Sequence, residues 1–426
     1  MYVFRNSDLP PDPQFPADLE NLGYTITGND KIRGIADPET EFKYRINRNE
    51  RFNVKNREAI DECIRKIVLT RLQEAGLEIW RLPLGDGPEE PKAAATDPHV
   101  PILVSKNLSG GARIVVVFGE PVQDLGIWAY RSVGEDGVNF GSAVNFTKHV
   151  LGESKDNAET ALVIANTGQL LWHCASSRAV TQRTWEAADR PAGPWGQATR
   201  SWRNKIPGNK DLNEHIQYVF EHVLWPRLDK KSRVDVIGLS EGGLGALEYL
   251  QKRWAVWKPY ISGICFGNPL QSTAVDLDMS TLTDPQSFTA FLASRGRTYV
   301  LSSDELGKFE CGYRNHGCNC YASGKELNSE CIMAHAWPDM LAWLDMLYKD
   351  PEYAEQVMIR AEDMDEETRQ ALENMTVTDD GDVKAEDAAQ TGEASPTAPK
   401  QAESHQQKGP ERCDSEGLMP EAEGNK

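Results

Sequence analysis

The chain lacks long apolar runs: stretches such as Ile114–Phe118 fall far short of the roughly 20 residues a bilayer requires. Nor does Met1–Pro16 carry the apolar core of a signal peptide. Both absences lead to the expectation of a soluble intracellular protein, neither secreted nor transmembrane. A surplus of positive charge is missing too. The 46 lysines and arginines face 65 aspartates and glutamates, a net charge of −19 that opposes non-specific attraction to nucleic acid. No direct nucleic-acid binding is therefore expected. Cysteine is sparse, eight in 426 residues, which without a secretion signal implies reduced thiols or a metal site rather than a disulfide framework. There is no internal repeat, no G-K-[ST] phosphate loop and no G-x-G-x-x-G, so no nucleotide or redox cofactor is indicated.

What is present suffices for a sizeable core, since 39% of residues are hydrophobic. The acid is concentrated at one end: residues 351–426 hold 20 acidic and 7 basic side chains, a net of −13, leaving −6 for residues 1–350. Within that end, residues 376–426 are poor in aromatic and branched aliphatic side chains and are expected to be a disordered acidic tail. Residues 351–375 are a candidate acidic helix. Residues 1–100 read as strands near Tyr24–Thr27 and Glu41–Ile46, then a helix after Asn56 whose apolar face is Ile60, Cys63, Ile64, Ile67, Val68 and Leu72 and which stops at Gly76. They are read as part of the same domain as residues 101–350.

From residue 101 to 350 the pattern becomes strand-helix alternation: ILVS, RIVVVFG, ALVIANTG, RVDVIGLS, ISGICFGNP and RTYVLSSD, with amphipathic stretches at Glu214–Leu224 and Pro338–Leu347. Such alternation predicts an α/β fold, a mostly parallel sheet flanked by helices, with functional residues at the C-terminal strand ends.

One of those ends carries a strong motif. Gly238-Leu239-Ser240-Glu241-Gly242 places G-x-S-x-G between a hydrophobic strand and an amphipathic helix, the context of the α/β-hydrolase nucleophile elbow. In that fold an acid and a histidine follow the serine. Asp304, ending the strand Thr298–Ser303, and His335, just before Pro338, occupy suitable positions, so Ser240, His335 and Asp304 are the candidate triad; His316 is the other candidate histidine. The oxyanion would be held by the backbone N–H of Glu241 and by one near Gly119 and Glu120. Two ionised carboxylates beside the site would oppose that oxyanion. The other reading of the motif is a glycine-rich turn whose serine only caps the helix.

Cys311, His316, Cys318, Cys320 and Cys331 gather within a short span. Their C-x6-C-x-C-x10-C spacing lacks the paired knuckles of structural zinc sites, and packed thiols in a loop are the reading preferred over a metal. Cys63 and Cys265 read as core.

Leu103–Leu108, Arg113–Glu120 and Gln123-Asp124-Leu125-Gly126-Ile127-Trp128-Ala129-Tyr130-Arg131 resemble the Arb-two domain, named for a fungal Argonaute-binding protein. Leu9-Pro10, Leu22-Gly23-Tyr24, Ile32-Arg33, Gly141-Ser142, Asn166-Thr167-Gly168-Gln169 and Gly238–Gly243 extend the resemblance over roughly residues 9–350. The resemblance implies an α/β-hydrolase-like fold that also forms the C-terminal region of fungal class II histone deacetylases. It further implies an interaction module in small-RNA and heterochromatin silencing, partnered by Argonaute or a histone deacetylase complex, in the nucleus, the cytoplasm or both. Docking through exposed aromatics at Ile127–Tyr130, with those side chains as ordinary core the other reading, and histone contact through the acidic tail are its candidate surfaces. A serine hydrolase acting on an ester, thioester or acyl amide is the competing function.

Overall fold

The computed structural model describes residues 12–41, 43–85, 96–152, 160–188, 200–356 and 358. The tail at 376–426 and the segment 359–375 lie outside the described residues. In chain order, β1 (Tyr24–Ile26) and β2 (Ile32–Gly34) form an antiparallel pair, followed by α1 (Glu50–Glu74), β3 (Leu77–Leu82), β4 (Val100–Ser105) and β5 (Arg113–Phe118). Next come α2 (Tyr130–Glu135), α3 (Ala143–Val150), β6 (Thr160–Ala165), the small pair β7 (Leu171–His173) and β8 (Arg178–Val180), and α4 (Gln182–Ala187). Then α5 (Leu212–Tyr218) widens into a π-helical turn, Val219–Leu224, ahead of Pro226. The rest is β9 (Arg233–Leu239), α6 (Ser240–Trp257), β10 (Ile261–Gly267), α7 (Phe288–Arg295), β11 (Gly296–Val300), β12 (Phe309–Cys311), β13 (Asn319–Ala322) and α8 (Ile332–Lys349).

Nine strands form one sheet in the order β12-β13-β11-β10-β9-β5-β6-β4-β3. The six from β13 to β6 run parallel; β12 at one edge is antiparallel to β13, and towards the other edge β4 is antiparallel to β6 and β3 to β4. This is the α/β architecture expected, and its continuous Val/Ile runs reflect burial on both faces. Alternation along β5 sends Val115 and Val117 to the face covered by α1, α3 and α8, and Ile114, Val116 and Phe118 to the face covered by α5, α6 and α7.

Three details differ from the sequence reading. The α1 N-cap is Asn49, whose side chain accepts from the Arg51 N–H; Asn56 lies inside the helix, buried, its amide donating to the Tyr44 carbonyl. The strand that follows β1 is β2, and 43–46 form no strand, Glu41 making an isolated bridge to Arg33. Finally, α8 begins at Ile332 and carries Pro338 inside it, so His335 sits in its first turn. Of the acidic segment, residues 351–356 run as a turn and extended chain, pinned where Glu355 pairs with Arg297 at 2.8 Å.

Candidate functional site

β9 delivers Ser240 to the C-terminal edge of the sheet, where α6 starts. The turn is strained: Ser240 has φ 47°, a left-handed conformation uncommon for non-glycine residues. Two glycines make it sterically feasible. A Cβ at Gly242 would stand 2.2 Å from the Gly119 carbonyl oxygen, and one at Gly238 would stand 2.3 Å from the Gly243 Cα. Thus Gly238, Gly242 and Gly119 clamp the elbow against the end of β5.

The serine has two side-chain partners. It accepts from Asn268 Nδ2 at 2.8 Å and donates to Glu120 Oε1 at 2.9 Å. Asn268 follows β10, is itself left-handed at φ 51°, and is fixed by its N–H to the Tyr299 carbonyl. Burial raises the Glu120 carboxyl above its ordinary range, hydrogen bonds from Ser240 and Gln123 oppose the rise, and the charges of Glu241 and Glu330 add to it.

Glu120 is held by a buried polar frame. Asp124, four residues on, accepts from Arg65 at 3.1 Å, from the Tyr130 hydroxyl at 2.7 Å and from Gln169 Nε2 at 2.7 Å. Gln169 is bonded in turn to Asn166, whose amide reaches the Pro101 carbonyl, while Thr167 donates to the Gly119 carbonyl. Gly168 packs so closely that a Cβ would meet the Gln123 carbonyl at 1.8 Å. The two strings Gln123–Arg131 and Asn166–Gln169 are therefore halves of one brace that sets the loop after β5. Trp128 and Tyr130 are buried, which rules them out as an exposed docking surface.

The structure brings Ser240, Glu120, Glu241, Gly119, Gly238 and Gly242 together and leaves His335 and Asp304 elsewhere. Asp304 pairs with Lys308 at 2.9 Å on the surface. His335 packs its ring against Phe140 and faces Asp136 at 3.9 Å, its Nε2 buried and unpartnered. No hydrogen bond joins either residue to Ser240 among the described residues. His316 bonds the Gln271 carbonyl. The cysteines are thiols within the fold: Cys318, Cys320 and Cys331 are buried, and burial pushes Cys318 up to about 12. Among the described residues no cluster of His, Cys, Asp and Glu suits a metal ion.

Ser240 opens onto a cavity of about 540 Å³ lined by Glu120, Glu241 and Asn268 at one part and by Tyr44, Arg57 and Arg183 at another. Sequence reasoning missed Asn268, Tyr44, Arg57, Arg183 and the role of the Glu120 side chain. A polar residue at the C-terminal end of the strand beside the elbow strand was the available signal for Asn268; the arginines come from distant segments and carried none.

Residues 15–306 match the model of the Arb2 domain. The chain belongs to the Arb2 domain family. A curated Arb2 relative, the cotranscriptional regulator ARB2A homolog of Xenopus tropicalis, is 27% identical over 188 residues, covering 43% of this chain and 41% of that protein, so this chain matches about two fifths of the relative's length. Solved structures similar to this Arb2 protein include a histone deacetylase from Saccharomyces cerevisiae (TM-score 0.37, 9% identity, 67% of this chain and 96% of that chain). Others are esterase Est22 (TM-score 0.33, 11% identity, 71% and 88%) and a bacterial heroin esterase (TM-score 0.27, 13% identity, 67% and 89%). At these scores the structural likenesses carry no functional argument. No helix among the described residues is long and apolar enough to cross a membrane.

Proposed function

We propose that this Arb2 protein is a serine acyl hydrolase acting on an ester, thioester or acyl amide, with Ser240 as nucleophile and Glu120 as the base. The observation that carries this reading is the strained Ser240, open to a cavity, with its hydroxyl held between Asn268 and the Glu120 carboxylate. Because Asn268 donates to Oγ, the serine's own proton is directed at Glu120. Attack of Oγ on an acyl carbon passes that proton to Glu120, and the developing oxyanion faces the N–H of Glu241, which by its place in the first turn of α6 has no helical acceptor. Collapse expels the leaving group, which takes the proton back from Glu120, and water then releases the acyl group from Ser240 with Glu120 again as base. The expected repulsion from Glu120 is cancelled, since Glu120 is neutral while the oxyanion exists, and the Glu241 side chain is exposed to water that screens it.

The test is labelling of the purified protein by a fluorophosphonate. Labelling should be abolished by Ser240→Ala and cut at least 100-fold by Glu120→Gln, and should persist in His335→Ala and Asp304→Asn. Loss in His335→Ala with Glu120→Gln still labelled would restore the Ser240–His335–Asp304 triad; an unlabelled, well-folded wild type would end the hydrolase reading.

A second reading is favoured by the match to a relative named as a cotranscriptional regulator. In it the chain is an interaction module in small-RNA and heterochromatin silencing, associated with Argonaute or a histone deacetylase complex in the nucleus or cytoplasm, with residues 376–426 contacting histones. Partner association that survives Ser240→Ala, in a protein that takes no label, would establish it.

A further inference from the structure

We infer that the end of the Ser240 cavity remote from the elbow is a subsite for an oxyanion, a phosphate or carboxylate carried by the ligand. The cavity adjoins a second one of about 310 Å³, and the two share the wall Tyr44, Arg57 and Arg183. The Arg57 guanidinium lies over the Tyr44 ring, 4.4 Å from its centroid, and its Nε is buried without a hydrogen-bond partner. One acid stands near it, Asp61 at 3.6 Å, and the Tyr44 hydroxyl already donates to that carboxylate. Arg183, on α4, makes no hydrogen bond or ion pair among the described residues, yet lines both cavities. Arg45 adds a third guanidinium to the second cavity.

The two carboxylates of that second cavity are engaged. Glu58 accepts from Arg65 at 2.6 Å and from Thr184 at 3.0 Å, and Glu50 accepts from Asn53 at 3.2 Å. What remains is the Arg57 guanidinium over the Tyr44 ring and the Arg183 guanidinium in the same wall, planar forks of N–H donors of the kind that grip two oxygens of one anionic group. The elbow end has the opposite character: Glu120, Glu241 and Glu330 line it, and Arg131 there is held by Glu135 and Glu330 at 3.4 and 3.3 Å. An anionic group entering the cavity is therefore directed to Arg57 and Arg183, which leaves an acyl bond further along the same molecule to meet Ser240. This names the substrate class for the hydrolase reading and rests on it for the acyl bond; binding of the anion stands on the arginines alone.

The experiment has a binding arm and a kinetic arm, both on the full chain. Calorimetric titration with inorganic phosphate and, separately, with succinate should show saturable binding by one or both, weakened at least 10-fold in Arg183→Ala and in Arg57→Ala; phosphate alone or succinate alone identifies which source the subsite prefers. Arg183→Gln replaces any variant whose circular dichroism shows that it has not folded. In the kinetic arm, the ratio of kcat/KM for p-nitrophenyl hydrogen succinate over p-nitrophenyl acetate should exceed 10 and fall to about 1 in Arg183→Ala. Binding that is absent from the wild type, or unchanged in both arginine variants, overturns the subsite. Arginine-dependent anion binding by a protein that hydrolyses neither ester upholds the subsite and removes the hydrolase reading, while hydrolysis of both esters at equal efficiency does the reverse.

Discussion

Glu120 has two roles that pull against each other. A carboxylate beside a serine nucleophile must be ionised to take a proton, and the same burial that excludes water from the pair raises its pKa and so favours the protonated form. The base should thus fail at a higher pH than an ordinary glutamate would. As pH falls through the raised pKa of Glu120, the fluorophosphonate labelling rate of wild-type protein should drop in proportion to the ionised fraction, with a single protonation. Glu120→Gln, which cannot titrate, should keep its low rate without that inflection. A profile governed instead by His335 would lose its inflection in His335→Ala and leave Glu120→Gln with the wild-type midpoint. Ser240 was legible in the sequence because a strained turn demands small neighbours at fixed spacing, and Gly238 and Gly242 advertise it. Glu120 was legible as a place in the chain but not as a side chain. Nothing in local pattern states that the residue after Gly119 turns back to the serine, since its partner Ser240 lies 120 residues further along the chain.

At the scale of elements, the strands were readable as runs and their order was not. Val/Ile-rich stretches of five or six residues bounded by glycine declare buried parallel strands, but the neighbour of β5 on each side depends on crossovers that sequence does not encode locally. One side chain ties this order together. Arg113, at the start of β5, donates to Asp235 on β9 at 2.6 Å and also pairs with Asp345 on α8. Arg113 and Asp235 are 5% and 0% exposed, so their charges have little water to fall back on. Removing the guanidinium alone strands Asp235 between two strands of the sheet centre. Arg113→Ala should therefore cost about 3–5 kcal/mol by denaturant titration, the range for breaking a buried pair from one side. Asp345→Asn, which leaves the Arg113–Asp235 pair in place and whose side chain is 35% exposed, should cost under about 1 kcal/mol. Equal losses in the two variants would mean that α8, rather than the strand pair, is what Arg113 secures.

The whole molecule stores charge unevenly, and α1 shows how that couples to stability. The buried face of α1 presents Asp61 and Arg65 to Asp124, Tyr130, Glu58, Glu62 and Arg178, a connected set joining the N-terminal helix, the loop that carries Glu120 and the β7–β8 pair. Two of its carboxyls are driven in opposite directions. Burial lifts Asp61 to about 7 against the pull of Arg57 and Arg65, whereas for Glu62 burial is outweighed by Arg65 and Arg178, which hold it at about 2. Their contributions to stability therefore have opposite sign. The folded state keeps a proton on Asp61 that the unfolded chain releases near pH 3.8, so this group favours folding at low pH and that contribution fades as pH rises from about 4 to about 7. Glu62 favours folding above its ordinary value of 4.5, and that support fades as pH falls toward about 2. The Asp61 contribution is separable across pH 4.5 to 7, because the Glu62 contribution is common to wild type and an Asp61 variant and levels off about one pH unit above 4.5. Asp61→Asn keeps the shape and removes the titration. The difference in unfolding free energy, wild type minus Asp61→Asn, should thus decline steadily from pH 4.5 to 7 in urea titrations and then level off. A difference that stays flat over that interval would mean that Arg57 and Arg65 keep Asp61 ionised throughout, and that the buried face of α1 is held by charge pairs alone.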